Sequence, residues 1–164
     1  MINLNEKPSS ARKLLTEYMK IKENIAKREL QREELQGRLT GGAIRYDKDK
    51  IMSSPGNVNE SWMCEVADLD REIKQLYHER NIYERQIRRY AKRVKDEDGR
   101  AIIRMRYLQG FSWEKIPDIL LMSRASMFRR YDIALAEMDR MIRRDDDRNR
   151  QKLIDSVKAR QNVC

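Results

Sequence analysis

The sequence predicts an all-α protein, a long helical hairpin or coiled coil followed by a C-terminal three-helix helix-turn-helix domain. Three observations lead there. Glycine and proline are scarce, 6 and 3 in 164 residues, while 38% of residues are charged, a composition that favours long solvated helices around modest cores. Apolar residues recur at alternating steps of four and three from Trp62 to Val94. Between Asp98 and Met138, three helical patterns are separated by two short turns.

The first element spans residues 1–39. Pro8, Ser9 and Ser10 read as a helix start, and Leu14, Tyr18, Ile21 and Ile25 form one apolar stripe that Leu35 and Leu39 resume. Arg28 and Arg32 occupy the stripe positions between. Such a helix is amphipathic with a weak middle, suited to packing on another helix. Residues 40–59 break the pattern with Gly41, Gly42, Pro55 and Gly56, so a flexible linker is expected. Its Arg45, Tyr46, Lys48 and Lys50 offer an alternative role in touching DNA or a polymerase.

The second long helix is expected over residues 60–96. Its seam runs Trp62, Val66, Leu69, Ile73, Leu76, Arg80, Tyr83, Ile87, Tyr90 and Val94, apolar at every position except Arg80. That spacing describes a coiled-coil seam of about 50 Å. Val66, Ile73, Ile87 and Val94 share one heptad position, with Leu69 and Leu76 at the other. This assortment favours a parallel two-stranded coil, in which Arg80 acts as a register element. An antiparallel hairpin with the first helix is the competing arrangement, and a dimer accommodates both. Val66, Leu69, Ile73, Leu76, Arg80, Tyr83 and Ile87 are the candidate oligomerisation residues.

The three-helix domain is placed at residues 97–142. Gly110 suits the left-handed position just past a helix end. Ser112 is placed to cap a short second helix with Glu114 in its first turn, and Ser123 to cap a third. Met127, Tyr131, Ala134, Leu135 and Met138 fall on one face of that third helix. They are expected to meet Ile102, Ile103, Leu108, Ile116 and Ile119 in a small core. A short helix, a tight turn and a longer Arg-rich helix form the pattern whose second helix can enter the DNA major groove. Residues 143–164 form a charged tail, expected to be solvated and partly disordered.

The segment RAIIRMRYLQGFSWEKIPDIL with MSRASMFRRYDIAL resembles region four of bacterial sigma factors. Two departures stand out. Leu121 occupies a position where that family usually turns on glycine, and Pro117 lies inside the short helix, predicting a kink or a late start there. The layout from Tyr46 to Met138, with its Tyr-Asp-Lys and Ser-Ser-Pro stretches before a long helix, resembles phage late-gene transcription regulators of the RinA and ArpU type. The resemblance implies a cytoplasmic protein of a bacterial host cell, phage- or prophage-encoded, activating late genes.

The charge agrees with a polyanionic partner. Net charge is +9, with 36 basic residues against 27 acidic, and counter-ion release from nucleic acid would supply much of the affinity. On the third helix, Arg124 and Arg129 are the candidate base readers, with Ala125 and Phe128 for thymine methyls and Ser126 and Arg130 at the borders. Arg130 and Lys115 are candidate phosphate contacts, and Ser123 joins the DNA-binding set. Arg85, Arg88, Arg89, Lys92, Arg93 and Lys95 crowd the end of the long helix. Arg88, Arg89, Lys92 and Arg93 are expected to grip phosphates flanking the site.

Other function classes find little support. The two cysteines and single histidine form no zinc-ligand cluster, and neither a metal nor any other cofactor is expected. No apolar run approaches membrane-spanning length. No phosphate-cradling glycine loop or nucleophile-base constellation indicates catalysis, and Asp145, Asp146 and Asp147 read as solvation. The expected protein is therefore a dimeric, sequence-specific regulator binding double-stranded DNA. A small terminase subunit and an interaction protein acting on bacterial RNA polymerase are the alternatives.

Overall fold

The computed structural model describes residues 10–40 and 55–161, with side chains over 10–39 and 60–155. Those residues are mostly helical with no strand among them, as the composition predicts. The elements are α1 (Ser10–Thr40), α2 (Pro55–Ala91), α3 (Glu97–Ile103) continued by a π-helical turn (Arg104–Leu108), α4 (Lys115–Ile119) and α5 (Arg124–Gln161). They form two compact units, one of Tyr18–Ile82 and the other of Met1–Glu17 with Tyr83–Cys164.

Within the first unit, α1 and α2 are linked antiparallel. Arg28 pairs with Glu72 at 3.1 Å and Arg32 with Asp70, and the Tyr77 hydroxyl donates to Glu29 at 2.6 Å. The hairpin alternative is thus realised within the chain, and the two Arg residues that interrupt the α1 stripe serve it as ion-pair partners. Tyr18, Ile21 and Ile25 are buried, but Leu35, Leu39, Trp62, Val66, Leu69, Ile73 and Leu76 are only half-buried. Leu76 and Leu69 line gaps of about 420 and 370 Å3 between the two helices. Arg80 stacks on the Tyr77 ring at 4.6 Å and donates to Asn81 Oδ1 at 3.1 Å, while its buried Nε has no hydrogen-bond partner among the described residues.

The second unit holds the tighter core. Ile87, Val94, Ile102, Ile103, Ile116, Met127, Ala134, Leu135 and Met138 are buried together with Ala11 and Leu15 of α1. The start of α1 is tied to α5 by the Ala11 N–H, which donates to Asp139 Oδ1 at 2.6 Å. Leu15 carries more of the α1 contact than Leu14, which is half-buried. α3 packs along α5, and α4 rests on α5 as well. Gly99 lets α3 approach closely, since a Cβ there would lie 2.8 Å from Ala134 Cβ.

Several boundaries move. α2 begins at Pro55, whose missing N–H loses nothing at a first helical position, and ends at Ala91 instead of residue 96. Arg45, Tyr46, Lys48 and Lys50 lie outside the described residues. The tail is corrected more substantially. α5 continues from the third predicted helix to Gln161, 38 residues in one helix, roughly 57 Å. Only the start of this extension is docked, at Asp145 as described below, while residues 146–155 are exposed.

Candidate nucleic-acid interface

The geometry of the interface begins with α3. Asp96 caps it, its Oδ2 accepting the Gly99 N–H at 2.9 Å. The π-helical turn then widens the last part of the helix, with Gln109 N–H returning to Arg104 C=O at 3.0 Å. Gly110 follows at φ +79°, the left-handed residue its position predicts.

The short helix does start late. Lys115 opens α4 and donates its N–H to the Ser112 carbonyl at 3.2 Å. Ser112 thus lies too far upstream to cap the helix by side chain. Its hydroxyl instead helps hold the Glu114 carboxyl below the ordinary range, after the larger effect of Glu114's own backbone N–H. Pro117 falls in the first turn, where backbone donors have no helical acceptor, so it neither breaks a bond nor kinks the helix. With so short a helix, Ile116 and Pro117 are buried and Ile119 is not. Ile119 is 47% exposed, correcting its assignment to the core, and Leu108 is half-buried.

The turn into α5 uses Leu121 where glycine would be easier. Leu121 has φ +52° and is 93% exposed, so the strained backbone gains no packing in return. The next capping expectation holds: Ser123 Oγ accepts the Ser126 N–H at 3.2 Å. α5 then projects Arg124 and Arg129 to solvent, with Ser126 half-buried, and Lys115 of α4 is also exposed. Arg124 lies 5.8 Å over the Phe128 ring.

Phe128 differs from its predicted exposure. It is half-buried beside Trp113, with ring centroids 5.4 Å apart. Trp113 also meets Tyr131 edge-on at 5.0 Å, and Arg106 lies 5.1 Å over its ring. The first turn of α5 is therefore braced by an aromatic cluster. Beneath it, the Tyr107 and Tyr131 hydroxyls share a buried hydrogen bond of 2.7 Å. Burial, reinforced by Tyr107, pushes the Tyr131 phenol above its usual range.

Arg130 has partners within the fold. It pairs with Asp96 at 2.7 Å and Asp98 at 3.1 Å, joining α5 to the start of α3, so its charge is already balanced within the fold. Sequence spacing missed this because Arg130 lies far along the chain from Asp96 and Asp98.

The basic end of α2 divides between two sides. Arg89 Nη2 donates to Asp145 Oδ2 at 3.0 Å, with Arg93 3.8 Å from the same oxygen. The Tyr90 hydroxyl also donates to it, at 3.3 Å, and Arg148 approaches Oδ1 at 3.9 Å. Asp145 is only 8% exposed. It docks the extension of α5 onto α2, contrary to a solvating role. Burial and then Asp145 raise the Tyr90 phenol. Arg88 and Lys92 point elsewhere, Arg88 bonding to Glu84 at 2.7 Å and Lys92 standing exposed without an ion pair among the described residues. They line a cavity of about 540 Å3 with Arg100 and Arg104 of α3 and the π-helical turn. Nothing in the sequence spacing linked those two pairs.

Among the described residues, no group of His, Cys, Asp or Glu side chains could hold a metal ion, and no helix is long and apolar enough to cross a membrane. Residues 57–139 match the family described as a protein of unknown function, DUF1492. The chain belongs to this family. The DUF1492 match runs from the first turn of α2 through α3 and α4 to Asp139 of α5. It thus contains the turn at Leu121, the exposed Arg124 and Arg129, and the basic cavity, and it stops before Asp145. No curated protein and no solved structure matches this DUF1492 chain.

Proposed function

We propose that the protein is a sequence-specific DNA-binding transcriptional regulator, an activator of phage late genes acting on double-stranded DNA without a catalytic step. The observation that carries this reading is the capped first turn of α5. Ser123 starts the helix, the Trp113–Phe128 contact braces it, and Arg124 and Arg129 extend from it to solvent without an ion pair among the described residues. An α-helix fits the major groove, and Arg at its leading end can bond guanine O6 and N7 together. The net charge of +9 supports the same partner through phosphate attraction. The words "phage" and "late" rest on the resemblance to RinA- and ArpU-type regulators.

In this reading the protein acts as a homodimer. The half-buried seam of α2 at Trp62, Val66, Leu69, Ile73 and Leu76 supplies apolar surface for a second copy. Docking on bacterial RNA polymerase is the second reading, favoured by the adjacent exposed apolar side chains of Ile119 and Leu121. Assembly in DNA packaging, as a small terminase subunit, is the third.

Selection of duplexes from a random DNA pool at physiological salt separates them. Enrichment of paired half-sites supports a dimeric operator binder, and Arg129→Ala should then weaken the selected duplex about tenfold or more. Failure to enrich any sequence overturns the reading. Capture of core polymerase without DNA, or a ring-sized oligomer, would then direct attention to the other two.

A further inference from the structure

The cavity between the end of α2 and the start of α3 has no role in reading a base. None of its lining residues belongs to α4 or α5: they are Arg88, Ala91, Lys92, Glu97, Arg100, Arg104 and Leu108. Gly99 of α3 closely approaches α5, and Arg100 lies about 100° further round the helix. Arg100 and Arg104 are one turn apart, as are Arg88 at the end of α2 and Lys92 just past it. Two helices thus direct four cations into one space.

The electrostatics of that space are unbalanced. Among the described residues, Lys92, Arg100 and Arg104 make no ion pair or side-chain hydrogen bond, and Arg88 is held by Glu84 at 2.7 Å. Glu97 is the single acid on the lining. Like charges gathered around a concave surface repel one another and raise the local concentration of anions. Leu108 and Ala91 add an apolar portion, and a volume of about 540 Å3 lies within the range of small-molecule sites. Arg forks match phosphate oxygens two at a time, which a carboxylate-poor pocket leaves available. The π-helical turn that follows Ile103 carries Arg104 and Leu108, and such turns recur at functional positions.

We propose that this cavity is a second anion site, binding phosphate oxyanions, separate from the leading turn of α5. The phosphates come either from a free nucleotide or from the backbone of bound DNA. The nucleotide source does not depend on the regulator reading above; the DNA source does.

The test uses the full chain. ATP and inorganic pyrophosphate are titrated calorimetrically at low salt against the native protein, Arg100→Glu/Arg104→Glu, Lys92→Glu and Glu97→Gln. In parallel, the salt dependence of duplex DNA binding is measured for the same set and for Arg100→Gln/Arg104→Gln. Saturable ATP binding, weakened about tenfold or more by the α3 double variant and by Lys92→Glu, and tightened by Glu97→Gln, assigns a nucleotide site. Absence of ATP binding, with the log–log salt slope for DNA reduced by about two in Arg100→Gln/Arg104→Gln, assigns the phosphates to DNA. The gain from Glu97→Gln cannot arise from misfolding. Neither effect in folded variants overturns the proposal, even if Arg129→Ala abolishes specific DNA binding.

Discussion

The Asp96 carboxylate serves two helices through its two oxygens: Oδ2 accepts the Gly99 N–H that opens α3, and Oδ1 accepts Arg130 Nη1 of α5 at 2.7 Å. A helix cap and an interhelical ion pair therefore share one side chain. Asp96→Ala should lose about 1–2 kcal/mol, chiefly through the cap. Asp96→Asn keeps a capping oxygen and loses the charge, so it should lose less, under about 1 kcal/mol for so exposed a pair. Urea unfolding of both variants measures the two contributions, and a loss from Asp96→Asn as large as that from Asp96→Ala would overturn the assignment to the cap.

Close approach of α3 to α5 depends on Gly99. A Cβ there would lie 2.8 Å from Ala134 Cβ and 3.2 Å from the Arg130 carbonyl oxygen. Alanine has the better helix propensity by about 1 kcal/mol. Overpacking should nonetheless prevail, leaving Gly99→Ala destabilised by about 1–3 kcal/mol. A rise in the urea midpoint would show that the helices can separate without loss.

Leu121 gives the opposite case. Its φ of +52° places an exposed β-carbon in the left-handed region, a strain of about 1–2 kcal/mol. Glycine relieves it but adds freedom to the unfolded chain. Leu121→Gly should therefore stabilise the protein by about 0.5–1 kcal/mol, read as a higher urea midpoint. Loss of a partner interaction without loss of stability would instead identify Leu121 as a docking residue.

The Tyr107–Tyr131 pair sets an alkaline limit. Burial, then the Tyr107 neighbour, raises the Tyr131 phenol above its usual value of 10.0. The unfolded chain releases that proton first, so ionisation favours unfolding. Stability from this group is complete below pH 10 and declines as pH rises beyond it, approaching about 1.4 kcal/mol per pH unit. Tyr131→Phe should flatten the decline above pH 10. It should also cost about 1 kcal/mol at neutral pH, because the Tyr107 hydroxyl loses its partner. An unchanged alkaline slope would falsify this assignment.

Asp145 tests whether the extension of α5 is part of the fold. It accepts bonds from Arg89 and Tyr90 and lies near Arg93 and Arg148. Its arginine partners are largely exposed, which moderates their contribution. Asp145→Ala should lose about 1–2 kcal/mol, and a chain ending at Ile142 should lose at least as much. Thermal and urea unfolding of both provide the comparison. Undiminished stability after truncation would return the tail to a solvated appendage.

Much of this architecture was legible in order along the chain. Helical periodicity located α1, α2 and α5, since apolar spacing records which face each helix buries. Gly110 and Ser123 were read correctly because left-handed turns and helix caps act over only a few residues. Of the kink or late start that Pro117 suggests for α4, the late start is found and the kink is not. Leu121 was recognised as an unusual occupant, while its positive φ became visible only in the structure.

The sequence by itself determined an all-helical chain, its principal seams and the arginines at the start of α5. The tertiary structure decided which charges remain available. Arg130 and Arg89 looked equivalent to Arg129 and Lys92 until Asp96 and Asp145 approached from distant helices. It also brought Arg88 and Lys92 beside Arg100 and Arg104 and paired α1 with α2 antiparallel. Periodicity specifies the face that a helix offers, whereas the partner on that face is chosen by long-range packing and charge pairing.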